Sequence, residues 1–240
     1  MNSSAPSDKS VGEARRRRLL YGRRKGPKLS AHKEALRRTL LPKLVLTLEA
    51  DRDPKTYFAA DVSDVWLEVG FGGGEHLLEQ SRANPRVGLI GAEPYEAGVA
   101  KLLSKIEGMD ASNIRIHEGD ARDIVEALPD ACLRRVFILF PDPWPKTRHR
   151  KRRFVQIEML DALARVMKPG AELRIASDDA GYVDWTLERA MAHPGFVWTA
   201  ERAADWKTRP QGWPQTRYEA KALHGPPAYL LFVRRGRMAR

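Results

Sequence analysis

The chain contains a single cysteine, Cys132, among 240 residues. One thiol cannot close an internal disulfide, and it excludes zinc sites built from two or four cysteines. The histidines, His32, His76, His117, His149, His193 and His224, fall at no ligand-like spacing, so no metal is expected. Long apolar runs are missing as well. None approaches the roughly 20 residues that cross a bilayer, and no membrane association is expected. The opening residues are polar and lack the apolar centre of a secretory signal, which makes a cytoplasmic location the expectation. What is present is a hydrophobic fraction of 42%, enough for a packed core and too much for a wholly disordered chain.

Acidic charge is scarce in one place only. Residues 1–43 hold 13 Lys or Arg against 3 acids, whereas the remaining 197 residues hold 29 basic and 28 acidic residues. The formal charge of +11 therefore sits almost entirely at the N-terminal end. Arg15, Arg16, Arg17 and Arg18 form a dense cationic run, and counterion release makes such a run a natural phosphate binder. An organellar transit peptide is the other reading of an Arg-rich start, and Asp8 and Glu13 argue against it. Residues 1–28, interrupted by Gly22, Gly26 and Pro27, are expected to be a flexible basic arm on a single domain over 29–240. Deleting that arm should weaken binding to a polyanion and leave the rest of the protein's ligand affinity intact. From Ser30 a capped helix is expected, with Leu36, Leu40, Leu44 and Leu48 recurring every fourth residue and Pro42 kinking or dividing it.

Beyond residue 60 the chain alternates. Apolar runs at 65–69, 87–92, 114–116, 136–140 and 171–176 read as strands, separated by helix-like stretches near 75–83, 95–107, 122–128, 151–167 and 180–192. In 151–167, Phe154, Ile157, Leu160, Ala164 and Met167 share one face, and Pro169-Gly170 is expected to stop the helix. Two late runs, 196–198 and 228–233, close the pattern, the last free to run antiparallel after a long insertion. Alternation of this kind predicts an α/β fold, a mostly parallel sheet covered by helices on both faces.

Three acidic motifs fall at successive strand ends. The first, Glu68-Val69-Gly70-Phe71-Gly72-Gly73-Gly74, stands where a strand turns into a helix. Glycines at alternate positions let the backbone turn tightly and approach a ligand, but the dinucleotide fingerprint needs a glycine where Glu75 stands. The second is Gly91-Ala92-Glu93, whose carboxylate can accept from both hydroxyls of a ribose. The third is Glu118-Gly119-Asp120, with Asp120 placed to face a base edge. Carboxyl ends of parallel strands are where such sheets bind ligands.

The most informative segment is Phe140-Pro141-Asp142-Pro143-Trp144-Pro145-Lys146, followed by Arg148, Arg150, Lys151, Arg152 and Arg153. Three prolines fix a rigid loop at a strand end. Asp142 can accept from base amines, Trp144 can stack on a base or wall a pocket, and Lys146 can donate to a carbonyl or phosphate. The basic residues are read as lying at a helix N-terminus, where the dipole disfavours cations and so hints at an external anion.

These motifs, with the later Thr216-Arg217-Tyr218-Glu219, closely resemble the bacterial tRNA (guanine-N7)-methyltransferases, from about residue 21 to 233. The resemblance implies a Rossmann-like class I methyltransferase with a seven-stranded sheet. It implies S-adenosylmethionine as methyl donor, bound by Glu68, Gly70, Gly72, Glu93, Asp120 and Asp142. It further implies Asp142 as the catalytic residue, with Lys146, Asp178, Thr216, Arg217, Tyr218 and Glu219 contacting the tRNA. The target would be the variable-loop guanine, and no obligate protein partner is evident. Asp179 adjoins Asp178 and either could serve, while Asp178 could instead be a plain helix cap. Guanine N7 carries a lone pair and no proton, so attack on a sulfonium methyl needs no general base. It needs in-line approach at about 3–3.5 Å. Two readings remain open: a methyltransferase acting on another RNA or on a protein, and a non-catalytic RNA-binding protein on the same fold. A nicotinamide dehydrogenase is disfavoured by Glu75.

Overall fold

A computed structural model describes residues 21–236 except 23, 60, 215–218 and 221–223. Arg15 to Arg18 and the expected tRNA contacts Thr216, Arg217 and Tyr218 lie outside the described residues.

Five parallel strands form the centre: β1 (Asp64–Val69), β2 (Val87–Ala92), β3 (Ile114–His117), β4 (Leu133–Leu139) and β5 (Met167–Ser177). With β6 (Phe196–Trp198) and β7 (Ala228–Arg234) they make one sheet of order β3-β2-β1-β4-β5-β7-β6. The last strand, β7, runs antiparallel to both of its neighbours, as its long approach allows. Central strands buried on both faces need apolar residues on both. In β1, Val65 and Leu67 pack on one face, while Trp66 packs on the other.

Helices cover the two faces. On one lie α1 (Ala31–Thr39), α2 (Leu41–Leu44), α3 (Glu75–Ala83) and α4 (Glu96–Ile106). On the other lie α5 (Ala121–Ala127), α6 (Ile157–Val166) and α7 (Ala180–Ala192). Ser30 caps α1 through the Lys33 N–H, and Pro42 at the start of α2 divides the two pieces. Leu36, Leu41 and Leu44 are buried there, whereas Leu48 lies beyond the helices and packs into the opposite core. Among the described residues, no helix is long and apolar enough to cross a membrane.

Two expectations are corrected. The stretch 151–167 is not one helix. Thr147–Arg152 form a 3-10 turn, and the Gln156 side chain donates to the carbonyls of Arg150 and Arg153, closing that turn before α6 begins at Ile157. The basic residues thus occupy their own turn rather than a helix N-terminus, and the dipole argument does not apply to them. Nor does Pro169-Gly170 end a helix. Both residues lie inside β5, where the β4–β5 register shifts between Leu133 and Arg135, an irregularity that accommodates a residue with no N–H.

The register brings the strand ends to one edge. Val69 pairs with Ala92 and Ile138, Ala92 with His117, and Ile138 with Ile175. Every acidic motif read from the sequence leaves the sheet along this edge.

Candidate active site

A cleft of about 380 Å³ opens at the carboxyl ends of β1, β2, β3 and β4. Its floor is the turn after β1. Gly70 adopts φ +70° and donates its N–H to the Ala92 carbonyl at 2.8 Å, and a Cβ there would meet nothing within 4 Å. The left-handed backbone at this point is one that L side chains rarely adopt, and it leaves the peptide bare to the cleft.

Glu93 is buried beside this turn. One carboxylate oxygen accepts from the Gly72 N–H at 2.7 Å and the other from the Tyr95 N–H at 2.9 Å. Burial raises its pKa, the two backbone donors oppose that, and the charges of Asp142 and Glu68 add to it. A carboxylate offers about four acceptor positions, so half remain for a ligand. Asp120, half-buried on the cleft wall, caps α5 through the Arg122 N–H at 3.0 Å and pairs with the Arg122 guanidinium at 3.1 Å.

Across the cleft, Asp142 reaches solvent and takes no hydrogen bond or ion pair among the described residues. The surrounding protein still withdraws enough water to raise its pKa. Phe140 and Trp144, which bracket it, both stand at positive φ, +48° and +43°. Bulky residues in that region are strained, and strain held on both sides of one carboxylate points to a functional loop. The Arg152 guanidinium lies 4.6 Å from the Tyr21 ring and 4.9 Å from the Trp144 ring, with His149 edge-on to Trp144.

The remaining expected residues divide. Gly72 lines the cleft with Gly70, Glu93, Asp120 and Asp142. The Glu68 side chain does not reach it. It is buried beneath the cleft on the face covered by α3 and α4, where its Oε2 lies 2.8 Å from His76 Nδ1. Lys146 is exposed at the start of the 3-10 turn and outside the cleft wall. Of the adjacent pair, Asp179 caps α7 by accepting from the Tyr182 N–H at 2.7 Å. Asp178 is left with the His224 N–H at 3.3 Å. Glu219 is buried and bonded to Arg209 and to the Tyr229 hydroxyl. Among the described residues, no group of three or more His, Cys, Asp or Glu is arranged to hold a metal ion.

The family model described as "Putative methyltransferase" matches residues 63–228. A tRNA (guanine-N(7)-)-methyltransferase of Rhodospirillum rubrum is 53% identical over 226 residues, covering 91% of this chain and 89% of that protein. Its counterpart from Brucella anthropi is 48% identical over 219 residues, covering 90% and 94%. The chain belongs to the tRNA (guanine-N(7)-)-methyltransferase family. Two solved structures show the fold. A 16S rRNA (adenine(1408)-N(1))-methyltransferase from Catenulisporales acidiphilia, with cosubstrate SAM, superposes with TM-score 0.55 at 18% identity, covering 84% of this chain and 98% of that one. The 16S rRNA methyltransferase KamB superposes with TM-score 0.54 at 17% identity, covering 80% and 98%. The sheet is that of the Rossmann-like class I methyltransferases.

Within this family fold, several residues of the cleft wall were not singled out from the sequence. Tyr21 and Gly22 enter from the N-terminal segment, Tyr95 and Gly98 from the start of α4, and Arg122 and Phe154 from the far wall. Gly98 had a signal, because glycine inside a helix costs about 1 kcal/mol against alanine and calls for a packing reason. The reason is close approach: a Cβ at Gly98 would stand 2.5 Å from the Gly72 carbonyl oxygen. We expect Gly98→Ala to displace the turn that Glu93 bonds and to weaken cofactor binding by at least about 10-fold, a loss of roughly one charge-assisted hydrogen bond. Isothermal calorimetry with S-adenosylmethionine measures it.

Proposed function

We propose that this protein transfers the methyl group of S-adenosylmethionine to N7 of the variable-loop guanine of tRNA, giving 7-methylguanosine. The observation that carries this reading is Asp142: a carboxylate with no bond among the described residues, held between two strained residues on the wall of a cleft, in a chain whose relatives are named tRNA (guanine-N(7)-)-methyltransferases. The cleft fits the cofactor. Its volume lies within the roughly 300–1,000 Å³ of small-molecule sites, and Glu93 presents acceptor positions beside a bare glycine turn.

When bound, S-adenosylmethionine supplies an electrophilic methyl group on a cationic sulfur. Glu93 would accept from the ribose hydroxyls with the positions that Gly72 and Tyr95 leave, and Asp120 would stand at the adenine edge. Gly70 and Gly72 would let the backbone approach the donor closely. Glu68 would act from beneath, bracing the end of β1 through His76. Asp142 would orient guanine by accepting from its N–H groups and settle the positive charge that the ring gains. No residue is asked to remove a proton.

The tRNA would be held on charge. Residues 1–28 carry the proposed basic arm, whose last part, Tyr21, Gly22 and Arg24, packs against the catalytic domain over 29–240, and the exposed turn Thr147–Arg152 with Lys146 offers further cations beside the cleft. Asp178 and the segment Thr216, Arg217, Tyr218 would contact the guanosine. Glu219, buried against Tyr229 and Arg209, would anchor that segment to β7.

The test is transfer of a tritiated methyl group to unfractionated tRNA lacking this modification, followed by nucleoside analysis. The label should migrate as 7-methylguanosine. Label in another nucleoside, or in added ribosomal RNA alone, would overturn the reading.

A further inference from the structure

Arg153 is among the largest fully buried side chains of the protein, at 2% exposure. Among the described residues, no carboxylate lies within ion-pair distance of it. Its partners are two main-chain carbonyls: Nε donates to Pro143 O at 2.8 Å and Nη1 to Gly181 O at 3.0 Å. The guanidinium stands 4.9 Å from the Trp185 ring and 5.5 Å from the Tyr182 ring, both on α7. Trp185 in turn donates through its indole N–H to Val155 O at 2.7 Å, stitching the chain after Arg153 to the same helix.

A buried cation with no carboxylate in ion-pair contact, and with the charge of Asp179 acting on it only at longer range, is expensive, since several kcal/mol of desolvation must be recovered from its contacts. An aliphatic side chain would fill the space at lower cost. What it could not do is reach two carbonyls at once, which needs the planar fork of arginine. Those carbonyls are not arbitrary. Pro143 follows Asp142 directly, and Gly181 stands in the first turn of α7, just past Asp178 and the capping Asp179. The two segments leave neighbouring strands at one point, where the Phe140 N–H donates to Ala176 O at 2.7 Å. Nothing else among the hydrogen bonds described joins the Pro141–Lys146 loop to the start of α7.

We propose that Arg153 is a positioning residue: a buried strut that sets the Asp142 loop against the Asp178 turn, so that the two carboxylates address one guanine in fixed relation. The inference rests on the proposed reaction for its purpose, and on the two carbonyl bonds for its geometry. Misplacing a reacting group by about 1 Å can cost on the order of 10²-fold in rate, so the strut acts on turnover rather than on capture of the RNA.

The experiment compares Arg153→Lys and Arg153→Met with the intact enzyme. Lysine keeps the charge and reaches one carbonyl, and methionine fills the space without donors. For Arg153→Lys we expect kcat to fall at least about 10-fold, with tRNA KM changed less than about 3-fold, because phosphate contacts dominate RNA affinity. Hydrogen exchange, measured without substrate, should quicken together at the bonded amides of His149 and Arg153 on one side and of Tyr182 and Val183 on the other. The amides of Gly70 and Gly74 should stay unchanged. Full kcat in both variants, loosening on one side only, or a rate loss matched by the loss of folded protein on thermal unfolding would each overturn the proposal. If the intact enzyme makes no 7-methylguanosine, the function fails, while the exchange data still decide whether the strut exists.

Discussion

Asp142→Ala is expected to lower kcat about 10²-fold while leaving the thermal unfolding midpoint unchanged or slightly higher. Both halves follow from the same environment. The side chain reaches solvent and bonds nothing among the described residues, so its removal breaks no hydrogen bond there. Its raised pKa means that the folded protein holds the ionised form at a disadvantage relative to the unfolded chain. The sign is that of a group whose folded pKa lies above its unfolded value: the stability it contributes is present below the ordinary aspartate range and is lost as pH rises through the raised value. Above the raised value that disadvantage is complete, and alanine relieves it. A residue kept at a cost to stability on a strained loop is kept for function. The rate loss is set by the charge that develops on the base, since removing one preorganised electrostatic partner costs on the order of 10²–10³-fold.

Asp142→Asn separates orientation from charge. The amide keeps one acceptor and loses the negative charge, so kcat should lie between those of the alanine variant and the intact enzyme. The pH profile adds a second mark. The ionised carboxylate is the active form, so kcat of the intact enzyme should fall on the acid side as pH drops through the raised pKa, and the asparagine variant should lose that limb. An alanine variant that turns over intact tRNA normally would remove Asp142 from the mechanism.

Much of this was legible in the sequence because its cause is local. Strands buried on both faces must be apolar runs, and the turns after β1 and β4 carry glycines and prolines that allow little else. What failed was periodicity without context. Phe154 and Met167 continue the spacing of Ile157, Leu160 and Ala164, yet Phe154 belongs to the cleft wall and Met167 to the bulged start of β5. Glu68 shows a second limit. The motif places it at a strand end, but strand parity turns its side chain away from the cleft and onto His76. Tyr21, Gly22 and Gly98 reach the cleft through neighbours distant in sequence, which no local pattern encodes.

The N-terminal segment gives the other large effect, and the structure moves the cut that tests it. Removing residues 1–20 takes away Lys9 and Arg15 to Arg18 together with Asp8 and Glu13. If those cations meet phosphates, tRNA affinity should fall, and the slope of log affinity against log salt should flatten by about 0.7–0.9 for each phosphate no longer neutralised. With up to five such phosphates at stake, the fall in affinity at low salt can reach on the order of 10²–10³-fold, because a protein neutralising 6–10 phosphates weakens by about 10³–10⁵ over a fourfold rise in salt. Cofactor affinity should hold, since the cleft walls that the structure describes are built from Tyr21 onward. Removing 1–28 is a different experiment, and it should not spare the cofactor as the charge pattern alone suggests. Tyr21 and Gly22 are part of the cleft wall, and the Arg24 carbonyl accepts from the Glu96 N–H at 3.0 Å, at the first turn of α4. The longer deletion should therefore weaken S-adenosylmethionine binding as well, by at least about 10-fold if one bonded wall of the cleft is removed. Filter binding across a salt series and calorimetry with the cofactor distinguish the two cuts. Equal loss of both affinities from the 1–20 deletion would place the arm in the fold, and an unchanged cofactor affinity after the 1–28 deletion would remove Tyr21 and Gly22 from the site.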